Sequence, residues 1–218
     1  MSQLFSPAAN TLARVVLVGG VVTVLGLIGS GYALYFSPLN TGVGVTVEQP
    51  VPFSHQHHVG GLGIDCRYCH TGVEKGRSAG IPPTETCMTC HSQIWKDAPV
   101  LQPVRDSWME QKPMHWTRVN DLPDYVYFDH SIHIAKGIGC VSCHGRVDQM
   151  PLTAKGETLF MRWCLSCHRH PDVNVRPIDS IYTMAPLPRA VTPEEGKTMV
   201  KERHITKERL EDCSTCHR

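Results

Sequence analysis

The longest apolar stretch of the chain covers residues 15–36, 22 residues without a single charged side chain. As a helix it would be about 33 Å long, enough to cross the hydrocarbon core of a bilayer. Tyr32, Tyr35 and Phe36 stand at its far end, where membrane helices carry interfacial aromatic residues. The pattern predicts a cytoplasmic lead (residues 1–14) and a transmembrane anchor. A cleavable signal peptide is the alternative, although its apolar region usually has only about 7–15 residues.

Beyond the anchor, polar and apolar positions show little long-range periodicity. Residues 37–52 are punctuated by Pro and Gly, which predicts an extended linker. Helix-start signals predict short helices from Thr84, from Thr192 toward Arg203 and from Thr206. One helical turn is expected near residues 105–111 of the connector.

The composition does not favour a large protein-only core. Aromatic residues make up only 7%, while 16 Pro and 18 Gly interrupt the chain. The formal net charge of +1 gives no basic field for nucleic acid, so no nucleic-acid partner is expected.

The cysteines carry the strongest signal, because all ten fall into five C-x-x-C pairs and each pair is followed directly by His. C-x-x-C-H is the sequence that attaches a c-type haem through two thioethers and supplies its proximal ligand. The sequence therefore predicts five covalent haem c groups, held by Cys66/Cys69/His70, Cys87/Cys90/His91, Cys140/Cys143/His144, Cys164/Cys167/His168 and Cys213/Cys216/His217.

Other uses of paired cysteines fit less well. A structural zinc site does not need His after every pair. A thioredoxin-like redox pair occurs once, in a βαβ context. A disulfide framework would scatter its cysteines along the chain.

The chain also contains an internal repeat, since F-S-H-Q-H-H from Phe53 and F-D-H-S-I-H from Phe128 each precede two haem motifs. It predicts a first two-haem module (residues 53–91), a connector (92–124), a second two-haem module (125–168) and a C-terminal segment (169–218) with the fifth haem.

Eight of the 13 histidines lie outside the motifs. A single loop histidine is usually solvated, but the two H-x-x-H pairs recur at matching places in both modules, which makes them candidate sixth (distal) ligands. Candidates for the fifth distal ligand remain open: His204, nine residues before Cys213, and the thioethers of Met150 and Met184.

The two F-x-H-x-x-H openings resemble the cytochrome c3/c7 class of multihaem proteins. In that class the first His ligates the next haem downstream and the second reaches another haem. By position, the resemblance implies that His55 and His58 serve the first module and that His130 and His133 serve the second, with His57 left unliganded.

The whole chain resembles the pentahaem cytochrome c subunit of bacterial alternative complex III, through the anchor, L-P-D-Y-V-Y-F-D-H-S-I-H-I, C-V-S-C-H-G-R-V-D-Q-M, W-C-L-S-C-H-R and the terminal C-S-T-C-H-R. The resemblance implies electron transfer within a quinol:electron-acceptor oxidoreductase. The implied partners are an iron–sulfur subunit, polytopic membrane subunits, a monohaem cytochrome, membrane lipid and a periplasmic cytochrome c or blue-copper protein (cupredoxin).

We therefore expect a multihaem cytochrome c of loops and short helices packed around five haems, plus one N-terminal transmembrane helix. Haem attachment outside the bacterial cytoplasmic membrane implies a periplasmic haem domain and a cytoplasmic N-terminus, in agreement with Arg14. We expect the chain to be non-catalytic. The alternatives are a stand-alone membrane-anchored quinol dehydrogenase that feeds a periplasmic reductase, and a catalytic multihaem reductase, which needs a five-coordinate haem.

Overall fold

The computed structural model of the protein describes residues 6–217. Residues 1–5 of the predicted cytoplasmic lead therefore lie outside the described part. The described chain divides into an N-terminal unit that ends at Gly42 and a second unit that begins at Val43.

The N-terminal unit is dominated by one long helix, α1 (Pro7–Phe36), of 30 residues. It begins eight positions before the apolar stretch, because Pro7 occupies the first turn and no helix breaker follows it. Within the described residues, Ala8–Phe36 is the one helix long and apolar enough to cross a membrane, with a mean hydropathy of 2.2. A short helix α2 (Pro38–Thr41) follows in the predicted linker and ends at Gly42, whose φ of 68° lies in the left-handed region.

The second unit consists of loops and short helices, as expected from the sequence. No β-strand is formed within residues 6–217, where the only extended pairing is four isolated bridges. A π-helical turn spans Gln56–Gly61. The helices of the second unit are α3 (Cys66–Cys69), α4 (Thr84–His91), α5 (Gln102–Glu110), α6 (His130–Ala135), α7 (Val141–His144), α8 (Met161–Arg169), α9 (Pro193–Glu202), α10 (Lys207–Leu210) and α11 (Cys213–Cys216).

Short 3₁₀ turns complete the loops around these helices. They cover Pro99–Leu101, Val147–Gln149, Pro171–Val173 and Ile178–Ser180.

The apolar core is small, as the composition suggests. Eight hydrophobic residues are buried among the described residues, and three of them form one cluster: Val51, Leu101 and Val104. The connector contributes two of the three, because α5 packs on α4, where the hydroxyls of Thr84 and Ser107 lie 2.6 Å apart. The predicted helical turn near residues 105–111 is thus part of a longer helix that fixes the first module.

The C-terminal helices begin where the sequence predicts. Thr192 caps α9, and a capping box with Glu195 is complete, so the predicted start of this helix is confirmed. α10 begins directly after Thr206, which is also as predicted. Gly196 allows α9 to pack its backbone against Asp172, since a Cβ at this position would collide with the Asp172 carbonyl.

Candidate haem sites

We number the candidate sites along the chain as sites 1 to 5, with the motifs at residues 66–70, 87–91, 140–144, 164–168 and 213–217. Each motif contains a single helical turn or the last turns of a short helix. Residues i, i+3 and i+4 of a helix lie on one face, so this turn presents both thiols and the following imidazole on the same side. In sites 1, 3 and 5 the turn is closed by a hydrogen bond from the His N–H to the carbonyl of the first Cys.

Four of the five motif histidines face a second histidine from an H-x-x-H pair. The ring centroids lie 6.2–6.4 Å apart in all four pairs, which are His55–His70, His58–His91, His130–His144 and His133–His168.

This spacing matches axial ligation of one iron by two imidazoles. Two rings that bind a metal through Nε2 from opposite sides, at metal–nitrogen distances of about 2.0 Å, have centroids about 6.3 Å apart. In each module the first His of H-x-x-H faces the first motif and the second His faces the second motif. The donor set and its spacing therefore fit haem c at sites 1 to 4.

The other ring nitrogen of these histidines is already occupied. Metal-binding histidines usually direct the second ring nitrogen to a carbonyl or another hydrogen-bonding group, which fixes the ring and leaves one nitrogen for the metal. The Nδ1 atoms of all nine motif and paired histidines lie 2.6–3.2 Å from such a partner: His55, His58, His70, His91, His130, His133, His144, His168 and His217. Each of the nine can thus present Nε2 to an iron.

The remaining four histidines differ from these nine in their exposure and in their side-chain hydrogen bonds. His57, His115, His170 and His204 are exposed, whereas the nine are half-buried. No side-chain hydrogen bond of these four rings occurs within the part of the chain that the structure describes. Burial and Nδ1 contacts therefore separate the two groups.

The Phe that opens each F-x-H-x-x-H segment packs against both imidazoles. Phe53 stacks on His58 at 4.4 Å and meets His55 edge-on at 4.9 Å. In the second module, Phe128 repeats this arrangement with its two histidines, at 4.5 and 4.8 Å. The phenylalanines hold the imidazoles in place, a role that the repeated motif contained but that sequence reasoning did not assign.

Burial favours the neutral form of three of the facing imidazoles, and the neutral form is the one that binds a metal. It lowers the pKa of His55 and of His144 to about 4, and it also lowers the pKa of His133. Burial acts in the opposite sense on the thiols and raises the pKa of Cys143 to about 12.

Site 5 differs from the other four. Nδ1 of His217 lies 3.2 Å from the carbonyl of Tyr125, whose ring is 5.8 Å away and tilted by 32°. Among the described residues, no hydrogen bond or ring contact joins His217 to His204, Met150 or Met184.

The three candidate ligands for site 5 lie in different surroundings. Met184 is buried, three residues after Ile181, whose carbonyl accepts from the Cys140 N–H. The Cε atom of Met150 lies beside Gly145, next to the motif of site 3. His204 follows α9 and is exposed.

Site 1 lies between sites 2 and 3. The hydroxyls of Tyr68 and Thr89 are 2.9 Å apart, which joins site 1 to site 2. The Cys66 thiol lies close to the Cys140 thiol of site 3, and this neighbour lowers the pKa of Cys66.

Site 4 lies between sites 3 and 5. The thiol of Cys143 in site 3 is close enough to both cysteines of site 4 for their charges to affect its pKa. The Leu210 carbonyl, just before site 5, accepts a hydrogen bond from Nδ1 of His168 at 2.9 Å, and an ion pair joins Arg169 to Glu211 at 2.9 Å. In space, the sites therefore follow the order 2, 1, 3, 4, 5.

The ten cysteines predicted to hold haem are not equally enclosed. Cys90 of site 2 and Cys213 of site 5 are exposed, whereas the other eight cysteines are half-buried. The Cys90 sulfur has only a long contact, 3.9 Å, from the hydroxyl of Thr89, which is itself exposed. The physical reason is position, because sites 2 and 5 are the two ends of the spatial order and each has a neighbouring site on one side only. Cys90 therefore keeps the motif spacing but lies at an open edge of the structure.

Two comparisons with known proteins show similarity to multihaem cytochromes. Residues 126–218 match the family described as cytochrome c7 and related cytochrome c. The chain is also 37% identical over 98 residues to the multihaem cytochrome c subunit of a menaquinone reductase from Nitratidesulfovibrio vulgaris. That alignment covers 44% of this chain, and the chain spans less than half, 46%, of the relative's length. Residues 126–218 are thus similar to cytochrome c7-type domains, and their cysteines have the spacing of covalent haem c.

Proposed function

We propose that this protein is the electron-transfer subunit of a membrane quinone-oxidoreductase complex and that it carries five c-type haems. The observation that carries the proposal is the set of four facing imidazole pairs at 6.2–6.4 Å, each beside a C-x-x-C-H motif. When bound, each haem supplies an iron that cycles between two oxidation states by one electron.

The chain's own residues have three tasks in this proposal. Ten cysteines form the thioethers, and the five motif histidines are proximal ligands. His55, His58, His130 and His133 are the distal ligands of sites 1 to 4, held by their Nδ1 hydrogen bonds and by the two phenylalanines. The distal ligand of site 5 is drawn from Met150, Met184 and His204.

Two axial imidazoles leave no coordination position for a substrate. Filled positions favour electron transfer over catalysis at sites 1 to 4, because a catalytic haem must bind its substrate at an open position. This argument separates the proposal from a multihaem reductase.

The two ends of the spatial order are the places where electrons enter and leave the subunit in this proposal. Sites 2 and 5 are also the sites with an exposed cysteine, Cys90 and Cys213 respectively. A haem at an end of the order has a neighbouring site on one side only, so a redox partner can approach it from the other side.

The proposed location is the bacterial cytoplasmic membrane. The apolar helix α1 would anchor the chain in the lipid, with its N-terminus in the cytoplasm and the haem domain in the periplasm. An anchor of one helix brings the haem domain close to polytopic and iron–sulfur subunits of the same complex, with a monohaem cytochrome as a further partner.

Two directions of electron flow are supported by different observations. The resemblance to alternative complex III favours oxidation of quinol and delivery to a periplasmic cytochrome c or cupredoxin. The similarity to a subunit of a menaquinone reductase favours delivery toward quinone. The alternative to a subunit of a complex is a stand-alone quinol dehydrogenase, in which the chain would act without other subunits.

The experiment that tests the proposal has two parts. Intact mass and iron analysis of the purified protein should give five haem groups and no zinc. The native membrane assembly is then incubated either with a quinol and an oxidised periplasmic carrier or with a quinone and the reduced carrier. Haem reduction by quinol followed by carrier reduction supports quinol oxidation, and the reverse supports quinone reduction. A purified chain without haem, or one that holds zinc, contradicts the proposal.

A further inference from the structure

We infer that Asn120 and Thr153 are positioning residues that set the orientation and basicity of two axial imidazoles, His144 in site 3 and His55 in site 1. The inference rests on the proposed function. It concerns residues outside every motif, which neither the repeat nor the comparisons single out.

The nine Nδ1 contacts fall into two classes. Seven histidines meet a main-chain carbonyl, whose position is set by the fold and cannot be altered by a side-chain substitution. The other two meet a side chain: His144 lies 3.1 Å from the amide of Asn120, and His55 lies 2.9 Å from the hydroxyl of Thr153. Only at these two sites does a replaceable side chain hold the ring.

The Asn120 amide lies in a half-buried position and is incompletely satisfied. Its Oδ1 atom is buried without a hydrogen-bond partner, while Nδ2 faces the His144 ring. An imidazole that binds iron through Nε2 carries its hydrogen on Nδ1 and needs an acceptor there. A half-turn of the amide places Oδ1 opposite this hydrogen, so the same side chain fits the ligated ring.

Thr153 performs the same task across the two modules. Its hydroxyl belongs to the second module and meets His55, which belongs to the first. A hydroxyl oxygen accepts the Nδ1 hydrogen and can rotate to do so. Thr153 therefore connects the distal ring of site 1 to the second module.

An acceptor at Nδ1 changes the electronic properties of the ligand as well as its orientation. It makes the imidazole a stronger donor to the metal, which stabilises the oxidised iron and lowers the midpoint potential. Loss of the acceptor should raise the midpoint potential of that one haem, and an anionic acceptor should lower it further.

The test uses the full-length, haem-loaded protein and measures the five midpoint potentials together with the low-spin EPR spectrum. Asn120→Leu removes the acceptor with little change of volume, and we expect one midpoint to become more positive while five haems are retained. Asn120→Asp keeps an acceptor and adds charge, and we expect the same midpoint to become more negative. Opposite shifts of one haem support an electronic role, whereas unchanged midpoints, or equal shifts in the same direction, overturn it.

Substitutions of Thr153 test the inference independently, at site 1. Thr153→Val should raise the midpoint of a different haem, and Thr153→Ser, which keeps the hydroxyl, should leave it as in the wild type. If Thr153→Val moves no midpoint, the inference is wrong for site 1. If Asn120→Leu fails to assemble, Asn120→Asp still decides site 3.

Matched controls are available elsewhere in the chain. Asn174 donates to the carbonyl of His170, an exposed histidine, and the hydroxyl of Thr198 donates to a helix carbonyl. Asn174→Leu and Thr198→Val should leave all five midpoints unchanged, and shifts as large as those of the test variants would contradict the inference. Absence of haem from the wild-type protein would instead contradict the proposed function, before any variant is compared.

Discussion

The four facing imidazole pairs differ in the angle between their ring planes. The planes are nearly parallel in site 1 (9°), site 3 (10°) and site 4 (23°), but they cross at 69° in site 2. Site 2 is thus set apart from the others by at least 46°, the difference between 69° and 23°.

Parallel rings interact with the same iron d orbital and separate it in energy from its partner, which gives a rhombic low-spin EPR spectrum. Crossed rings interact with both orbitals alike, which leaves them close in energy and gives one strongly anisotropic signal with a large maximal g-value. The oxidised protein should therefore show rhombic signals from sites 1, 3 and 4 and one large-g signal from site 2.

The perturbation that tests this assignment is removal of one distal ring. His58→Ala should abolish the large-g signal and produce a high-spin signal, while the three rhombic haems persist. His55→Ala is the matched variant, and it should remove the rhombic signal of one haem while leaving the large-g signal intact. Persistence of the large-g signal in His58→Ala, or its loss in His55→Ala, would refute the assignment of ring pairs to sites.

Three further predictions concern a ligand, a helix cap and a close backbone approach. His130→Ala should convert one haem to high-spin, seen in the optical and EPR spectra, because a small side chain leaves the sixth position of site 3 without a protein ligand. Thr192→Ala should destabilise α9 by about 1 kcal/mol, measured by hydrogen exchange of its amides, because the capping box is lost. Gly156→Ala should lower the free energy of unfolding by about 1–3 kcal/mol, measured in denaturant, because it would overpack the site 3 turn. The new Cβ would lie 2.6 Å from the His144 carbonyl carbon.

Each of these three predictions has a control in the same chain. His57→Ala removes an exposed imidazole and should leave all five haems low-spin. Thr198→Ala alters a solvent-facing hydroxyl of the same helix and should change its stability by no more than about 0.5 kcal/mol. Gly76→Ala adds a Cβ that meets no atom within 4 Å and should be tolerated. Equal effects of a variant and its control would contradict the reasoning in each case.

The elements that could be predicted from the sequence are those fixed by local spacing. The capping signals at Thr192 determine a helix start within one turn, and α9 begins at the next residue, Pro193. The C-x-x-C-H spacing is the spacing of one helical face, so the placement of thiols and imidazole could be expected from the motif alone.

Contacts between distant segments could not be predicted in this way. Asn120 and Thr153 lie in loops without any motif, and only the folded chain brings them to a histidine. The helix predicted near residues 105–111 begins earlier, at Gln102, because Pro103 fits the first turn of a helix.

The spatial order of the sites likewise depends on long-range packing, which places site 1 rather than site 2 next to site 3. The exposure of Cys90 follows from that order, since the five motifs are alike in sequence and only their neighbours in the folded chain distinguish them.

The two modules exchange hydrogen bonds in both directions. The Arg77 carbonyl of the first module accepts from Nδ1 of His130 in the second at 2.6 Å, and Thr153 of the second meets His55 of the first at 2.9 Å. In each module, one predicted distal histidine therefore has its Nδ1 partner in the other module. A polypeptide cut between the modules would lose both contacts, so we expect neither half alone to hold all of its histidine rings as the intact chain does.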